Sequence, residues 1–235
     1  MSALGRFYGI GVGPGDPELL TLKARRILSE VPIIFVPKKG QGSASYASSI
    51  IAGLVSPQQE IIELVFPMVR EREQLEDYWQ KAVVTIWGYL SKGKDCAFIN
   101  LGDPLLFGTF IPVLGILRRE HPEVEVHSVP GISSISAAAA QALLPLATED
   151  DRVAIISGRC EDKAIRETLN SFDTVIFMKV NAIFDHLMGI LEELNLVDKC
   201  VYVKKCTTRD EEIVRDITRL KGDKLDYFSL LIFRR

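Results

Sequence analysis

Three short stretches carry residue types and spacings suited to holding a small ligand: Gly9–Pro17 (GIGVGPGDP), Leu101–Gly108 (LGDPLLFG) and Val129–Ser134 (VPGISS). Each sets glycine at the end of an apolar run, just ahead of a helical pattern. In the first two an Asp-Pro pair follows, and Asp is a favoured N-cap while Pro is a favoured first helical residue. Polar, glycine-bearing loops at the carboxyl ends of strands are where open α/β sheets bind ligands. The first loop is not a dinucleotide cradle. That fingerprint needs glycines at its first, third and sixth positions. Counted from Gly11 the sixth position is Asp16, counted from Gly9 it is Pro14, and a carboxylate there repels phosphate. Capping accounts for Asp16, with Glu18 suited to the positive helix end. Alternate glycines at 9, 11, 13 and 15 point instead to a bulky ligand packed on bare backbone, with a purely structural strand-end turn as the other reading.

The elements that must position these loops alternate in type. Strands are expected at Arg6–Val12, Pro32–Pro37, Glu60–Val65, Cys96–Leu101 and Glu123–Val129, with helices at Pro17–Ser29, Tyr46–Leu54, Glu71–Leu90 and Phe110–Arg119. In Glu71–Leu90 the apolar set Leu75, Tyr78, Trp79, Ala82, Val83, Ile86 and Leu90 follows the helical period, and Gly93 stands where a C-cap belongs. The texture changes at Ile132–Leu144, a small-residue helix. Strand Arg152–Ser157, helix Asp162–Asn170, strand Thr174–Val180 and helix Ala182–Leu194 follow. The stretches Cys200–Lys205, Ile213–Leu220 and Ser229–Phe233 read as strands without long helices between them. The pattern predicts an α/β protein of two domains: a mostly parallel α/β domain over 1–121 and an α+β domain with a mixed sheet over 122–235, divided at the charged link RREHPE.

Composition narrows the partners. With 47% hydrophobic residues over 235 positions, the chain can bury one large core or two modest ones, two being the better expectation. A net charge of −3 argues against nucleic acid or an anionic membrane as the main partner. No signal-like apolar region and no long uncharged apolar stretch occurs, so a cytoplasmic location is expected. Cys96, Cys160, Cys200 and Cys206 form no CxxC pair, and His121, His127 and His186 show no ligand spacing. Buried thiols, with no protein-held metal, are the expectation.

In this order and spacing, GVGPGDPELLTLKA (Gly11–Ala24), LGDPLLFG and VPGISS resemble the three main motifs of the tetrapyrrole methylase family of S-adenosylmethionine-dependent methyltransferases. The likeness continues through FMKV (Phe177–Val180), VKKCT (Val203–Thr207) and YFSLLIF (Tyr227–Phe233). The opening, joined to IIFVPKKGQGSASYAS, is similar to the branch that methylates precorrin-2 or cobalt-factor II at C-20; the uroporphyrinogen branch reads GGDPFIFGRG where this chain has LGDPLLFGTF.

The resemblance implies a homodimer, with the methyl donor in a cleft between two domains and the glycine loop at its mouth. Donor-binding positions carried over by it are Pro14, Leu101, Gly102, Asp103, Leu106, Ser133, Ser134, Met178, Cys206 and Leu230. Cys206 stands where relatives often carry Gly or Ala, and Tyr227 and Phe228 stand where smaller residues are usual. Substrate contacts fall on Gly13, Gly15 and Asp16. The substrate's carboxylates call for cations, for which Lys38 and Lys39 lead, followed by Arg118, Arg119, Arg159, Lys179, Lys204 and Lys205. Methylation at carbon also releases a proton. Asp103 is the first candidate to take it and Tyr227 the second, and Asp103 can both cap a helix and act as base only if one carboxylate oxygen stays free. Other readings remain: another member of that family methylating uroporphyrinogen or a later corrin ring, a relative of the same fold acting on protein or ribosomal RNA, and a non-catalytic nucleotide- or tetrapyrrole-binding module.

Overall fold

A computed structural model describes residues 3–40, 42, 45–67, 72–157 and 160–235, with the backbone alone at 72 and 73. The chain divides into two compact units, Met1–Ser133 and Ser134–Arg235.

The first unit is a parallel sheet of β1 (Phe7–Gly11), β2 (Ile33–Lys38), β3 (Glu60–Val65), β4 (Cys96–Asn100) and β5 (Val126–Val129), in the order β3-β2-β4-β1-β5. Among the described residues four α-helices accompany it: α1 (Leu22–Glu30), α2 (Tyr46–Ile51), α3 (Arg72–Leu90) and α4 (Phe110–Glu120). Strands buried on both faces read as unbroken apolar runs, which is why FYGIG and CAFIN lack polar alternation. The two faces separate by the period of two. Phe7, Phe35 and Phe98 pack with Ile86, Leu90, Phe110 and Val113 of α3 and α4, while Ile10, Ile34 and Ile99 pack with Ile27, Leu28, Ile50 and Ile51 of α1 and α2.

The second unit carries β6 (Val153–Ser157), β7 (Thr174–Met178), β8 (Cys200–Lys204), β9 (Glu212–Val214) and β10 (Ser229–Arg234), ordered β6-β7-β10-β8-β9. Only β6 and β7 pair in parallel; the other three pairings are antiparallel, giving the mixed sheet expected. Its helices are α5 (Ser134–Gln141), α6 (Asp162–Ser171) and α7 (Phe184–Glu193). Ile165, Leu169, Phe184, Leu187 and Leu191 close over Phe177, Tyr202, Leu231 and Phe233.

Four expectations are corrected. The division falls after Ser133, not at 121/122, because β5 pairs with β1 and completes the first sheet. The single helix over Pro17–Ser29 is two pieces: a one-turn 3-10 segment at Pro17–Leu19, then α1. Thr21 restarts the helix, its extended backbone freeing the hydroxyl to accept from Ala24 N–H at 3.1 Å. Ile213–Leu220 is a strand only as far as Val214; Ile217 and Leu220 then turn inward through a 3-10 segment and join the core. The small-residue helix is shorter than Ile132–Leu144. It ends at Gln141, where Leu143 takes a left-handed φ of 49° and Arg215 donates to the Ala142 carbonyl at 2.6 Å. The expected helix start at Glu71 lies outside the described residues.

Candidate active site

The three glycine corners, at Gly11–Gly13, Gly102 and Gly131, meet at one end of the first sheet. Gly13 has φ of 80° and Gly102 φ of 69°, a backbone shape that costs other residues roughly 1–2 kcal/mol. In that shape Gly13 and Gly102 form an isolated antiparallel bridge, and the Gly102 N–H donates to the Gly13 carbonyl at 2.8 Å. The third corner packs onto both others. A Cβ on Gly131 would lie 2.2 Å from the Gly102 carbonyl oxygen and 2.7 Å from the Gly11 Cα. A Cβ on Gly11 would lie 2.5 Å from the Gly131 nitrogen. Glycine is required at both positions by this close approach.

Asp103 ties the second corner to the third. Its Oδ1 accepts from Leu105 N–H at 2.9 Å, and its Oδ2 accepts from Gly131 N–H at 3.1 Å. Each oxygen thus accepts one backbone N–H and keeps a second lone pair. Around this latch Pro14 is buried, Leu101, Leu106, Gly15, Asp16 and Ser133 are half-buried, and the Leu106 N–H reaches the Asp103 carbonyl at 3.4 Å. Asp16 keeps its capping role, accepting from Glu18 N–H at 2.8 Å.

Two of the four alternate glycines thus have internal explanations rather than ligand-related ones. Gly11 makes room for the Gly131 corner, and Gly9 for the Phe110 ring, which a Cβ would approach to 2.3 Å. Gly13 adds a positive φ.

A residue overlooked by sequence reasoning braces the second corner. Asn100 is 4% exposed at the end of β4. Its amide nitrogen donates to the Leu101 carbonyl at 2.8 Å and to the Asp103 carbonyl at 3.1 Å, and its amide oxygen accepts from Phe110 N–H at 3.4 Å. The available signal was a lone amide closing the otherwise apolar run CAFIN, because a buried polar group must find partners.

In the second unit, Met178 pairs with Leu230 across β7 and β10. Lys179 has φ of 55°, its N–H donates to the Ser229 carbonyl at 3.1 Å, and its ammonium stands 5.6 Å from the Tyr227 ring centre. The Lys205 N–H donates to the Phe228 carbonyl at 2.7 Å, which brings the neighbouring Cys206 to the same sheet end. Cys206 is buried between two left-handed residues, Lys205 and Thr207, and burial, with Glu211 next, pushes its thiol up to about 12. It is a packing group at neutral pH, not a nucleophile. Ser134 opens α5.

The candidate cations sort clearly. Lys38 is paired with Glu63, its side chain only 12% exposed, and Lys39 beside it is exposed. Lys204 pairs with Glu212, and Lys205 with Asp210 and Asp226. Arg118 and Arg119 occupy the last turn of α4, roughly 12 Å along the axis from its start beside the second corner, so they are not corner residues. Lys179 has the Tyr227 ring and no carboxylate against it among the described residues. Arg159 lies outside the described residues. No group of three His, Cys, Asp or Glu able to hold a metal occurs among the described residues.

Residues 6–220 match the family Tetrapyrrole (Corrin/Porphyrin) Methylases. The chain belongs to the tetrapyrrole methylases. It is 37% identical to a probable cobalt-precorrin-2 C(20)-methyltransferase of Methanocaldococcus jannaschii, over 98% of this chain and 96% of that protein. It is 31% identical to the cobalt-precorrin-2 C(20)-methyltransferase of Salmonella typhimurium, over 98% and 97%. The fold agrees with that of a cobalt precorrin-4 methyltransferase (TM-score 0.73, 23% identity, 97% of this chain and 94% of that one). It agrees also with the uroporphyrin-III C-methyltransferase of Thermus thermophilus complexed with S-adenosyl homocysteine (TM-score 0.70, 23% identity, 98% of each). No helix among the described residues is long and apolar enough to cross a membrane.

Proposed function

We propose that this chain transfers a methyl group from S-adenosylmethionine to the C-20 meso carbon of precorrin-2 or cobalt-factor II in cobalamin biosynthesis. The observation that carries the reading is end-to-end similarity, at 37% and 31% identity, to two proteins named for cobalt-precorrin-2 C(20) methylation. The donor supplies a methyl group made electrophilic by its sulfonium. It has no phosphate, which suits corners where Asp16 and Asp103 stand in place of a phosphate nest.

The chain's own contribution is chiefly positioning. In this proposal the donor contacts are those the family likeness carries over, Pro14, Leu101, Gly102, Leu106, Ser133, Ser134, Met178, Cys206 and Leu230, while Gly13, Gly15 and Lys39 serve the substrate. Asp103, with both oxygens occupied by backbone N–H groups, holds two corners together. Tyr227, its ring beside the Lys179 ammonium, relays the meso proton, the phenol oxygen accepting it as its own proton passes to water. Lys179 is the cation best suited to a substrate carboxylate, since Lys38, Lys204 and Lys205 are already ion-paired. The working form is proposed to be a cytoplasmic homodimer, for which light scattering gives the mass.

The test offers methyl-labelled donor with precorrin-2, cobalt-factor II and uroporphyrinogen III side by side. Label entering either of the first two, as one methyl per ring, supports the reading. Transfer to uroporphyrinogen alone, or to none of them, overturns it.

A further inference from the structure

The second corner carries a feature that donor binding leaves unused. Phe107 is the one aromatic in LGDPLLFG, and it stands 44% exposed with a left-handed φ of 53°. A bulky residue in that region is a genuine outlier, tolerated only where its surroundings over-determine it. The surroundings do so here. Asn100, pinned through three hydrogen bonds, fills the space behind the loop. A Cβ on the next residue, Gly108, would lie 2.5 Å from the Pro104 carbonyl oxygen and 2.8 Å from both amide atoms of Asn100. The loop is therefore clamped from behind, and the clamp presents the ring to solvent at a cost in backbone strain.

Other apolar groups accompany it. Leu105 is 52% exposed, and its N–H bonds one oxygen of Asp103. Ile132 is 38% exposed and follows Gly131, whose N–H bonds the other oxygen. One carboxylate thus holds Leu105 and Ile132 at the same rim, with Phe107 two residues beyond Leu105.

We propose that Phe107 is a specificity residue, its ring lying against the flat apolar face of the tetrapyrrole substrate, with Leu105 and Ile132 extending the platform. The inference rests on the proposed function, which supplies a planar macrocycle as the substrate. The occupant follows from continuity: the platform is built on the Gly102–Asp103 and Gly131 corners themselves. A large flat ligand is also what an outward aromatic beside two exposed aliphatic groups accommodates.

The experiment compares F107N and F107Y with the unaltered full chain. Asn accepts a left-handed backbone, so released strain offsets lost packing and the Tm of F107N is expected to stay within about 3 °C of wild type. Covering the exposed share of a side chain of roughly 200 Å² corresponds to roughly a ten- to fiftyfold loss when the ring is removed. F107N should weaken by that factor both the KM for the methyl-accepting tetrapyrrole and the absorbance-titrated affinity for uroporphyrin III, a stable macrocycle. Calorimetric affinity for S-adenosylhomocysteine should change less than twofold, and F107Y should keep tetrapyrrole affinity within about threefold.

Unchanged tetrapyrrole affinity in F107N overturns the inference. An equal loss of S-adenosylhomocysteine affinity overturns it in favour of a donor contact, and a change of mass in light scattering overturns it in favour of a contact between copies. If wild type binds uroporphyrin III in a Phe107-dependent way yet methylates no tetrapyrrole, the inference stands and the proposed reaction falls. If wild type binds no tetrapyrrole, both fall.

Discussion

At the residue scale, Asp103 and Tyr227 make opposite predictions. The Asp103 carboxylate uses both oxygens to hold N–H groups 2 and 28 positions away in sequence. Asp103→Asn keeps an oxygen for Leu105 but turns an amide donor toward the Gly131 N–H. The expected outcome is a roughly tenfold weaker affinity for S-adenosylhomocysteine by calorimetry and about 1–2 kcal/mol lower stability, the cost of a stranded backbone donor. A fall in kcat at unchanged donor affinity would instead make Asp103 the base. Tyr227→Phe removes only a phenol oxygen at a ring already seated beside Lys179. Its kcat should drop on the order of a hundredfold or more with donor affinity unaltered, a split that steady-state kinetics and calorimetry read together.

At the scale of elements, the corners separate two reasons for glycine that look alike in sequence. Gly131 is required by proximity, with a Cβ 2.2 Å from a backbone carbonyl, whereas a Cβ on Gly13 meets nothing closer than 3.5 Å and only its φ of 80° resists substitution. Backbone cannot yield as the end of a flexible side chain can. Gly131→Ala should therefore cost about 1–3 kcal/mol and abolish measurable donor binding, because it forces the Gly102 corner away. Gly13→Ala should cost about 1–2 kcal/mol, from left-handed strain alone. Thermal unfolding of the two variants, with calorimetry of S-adenosylhomocysteine, checks both. The same scale explains α1. Asp16 and Thr21 are both good caps, and sequence reading credited the first with the whole helix. The chain uses each in turn, since the extended Leu20–Thr21 backbone stops one turn before the next begins.

At the scale of the whole molecule, one carboxyl links pH to stability. Asp151 accepts from the Thr148 hydroxyl and N–H, each at 2.7 Å, and from Arg234 at 2.7 Å. The Thr148 hydroxyl foremost, then Arg234 and the Thr148 N–H, hold its carboxyl down from the ordinary 3.8 to about 2. A depressed folded-state value contributes stability that is fully present above the unfolded value and disappears as the pH falls through the folded one. The protein should accordingly lose stability between about pH 4 and pH 2, and Asp151→Asn should flatten that limb while lowering the plateau at pH 7. Parallel acid-unfolding curves of the two proteins test it; superimposable curves refute the linkage.

Much was legible from local signals. The order of strands and helices, the apolar face of α3 apart from the 37% exposed Tyr78, the mixed second sheet and the three glycine corners all follow from periodicity, capping residues and turn chemistry, which act over a few positions. What only the tertiary structure decided depends on groups distant in the chain. It made Gly9 a seat for Phe110, spent the second Asp103 oxygen on Gly131, buried Lys38 against Glu63 and moved the boundary past β5 by pairing that strand with β1. Asn100 belongs to both kinds: its burial was readable from the run around it, but its partners were set by a loop that folds back over the strand's end. The physical reason is range. Caps and periods are satisfied within a turn or two of backbone, whereas steric exclusion and hydrogen-bond completion are settled between atoms that only the assembled fold brings within 3 Å.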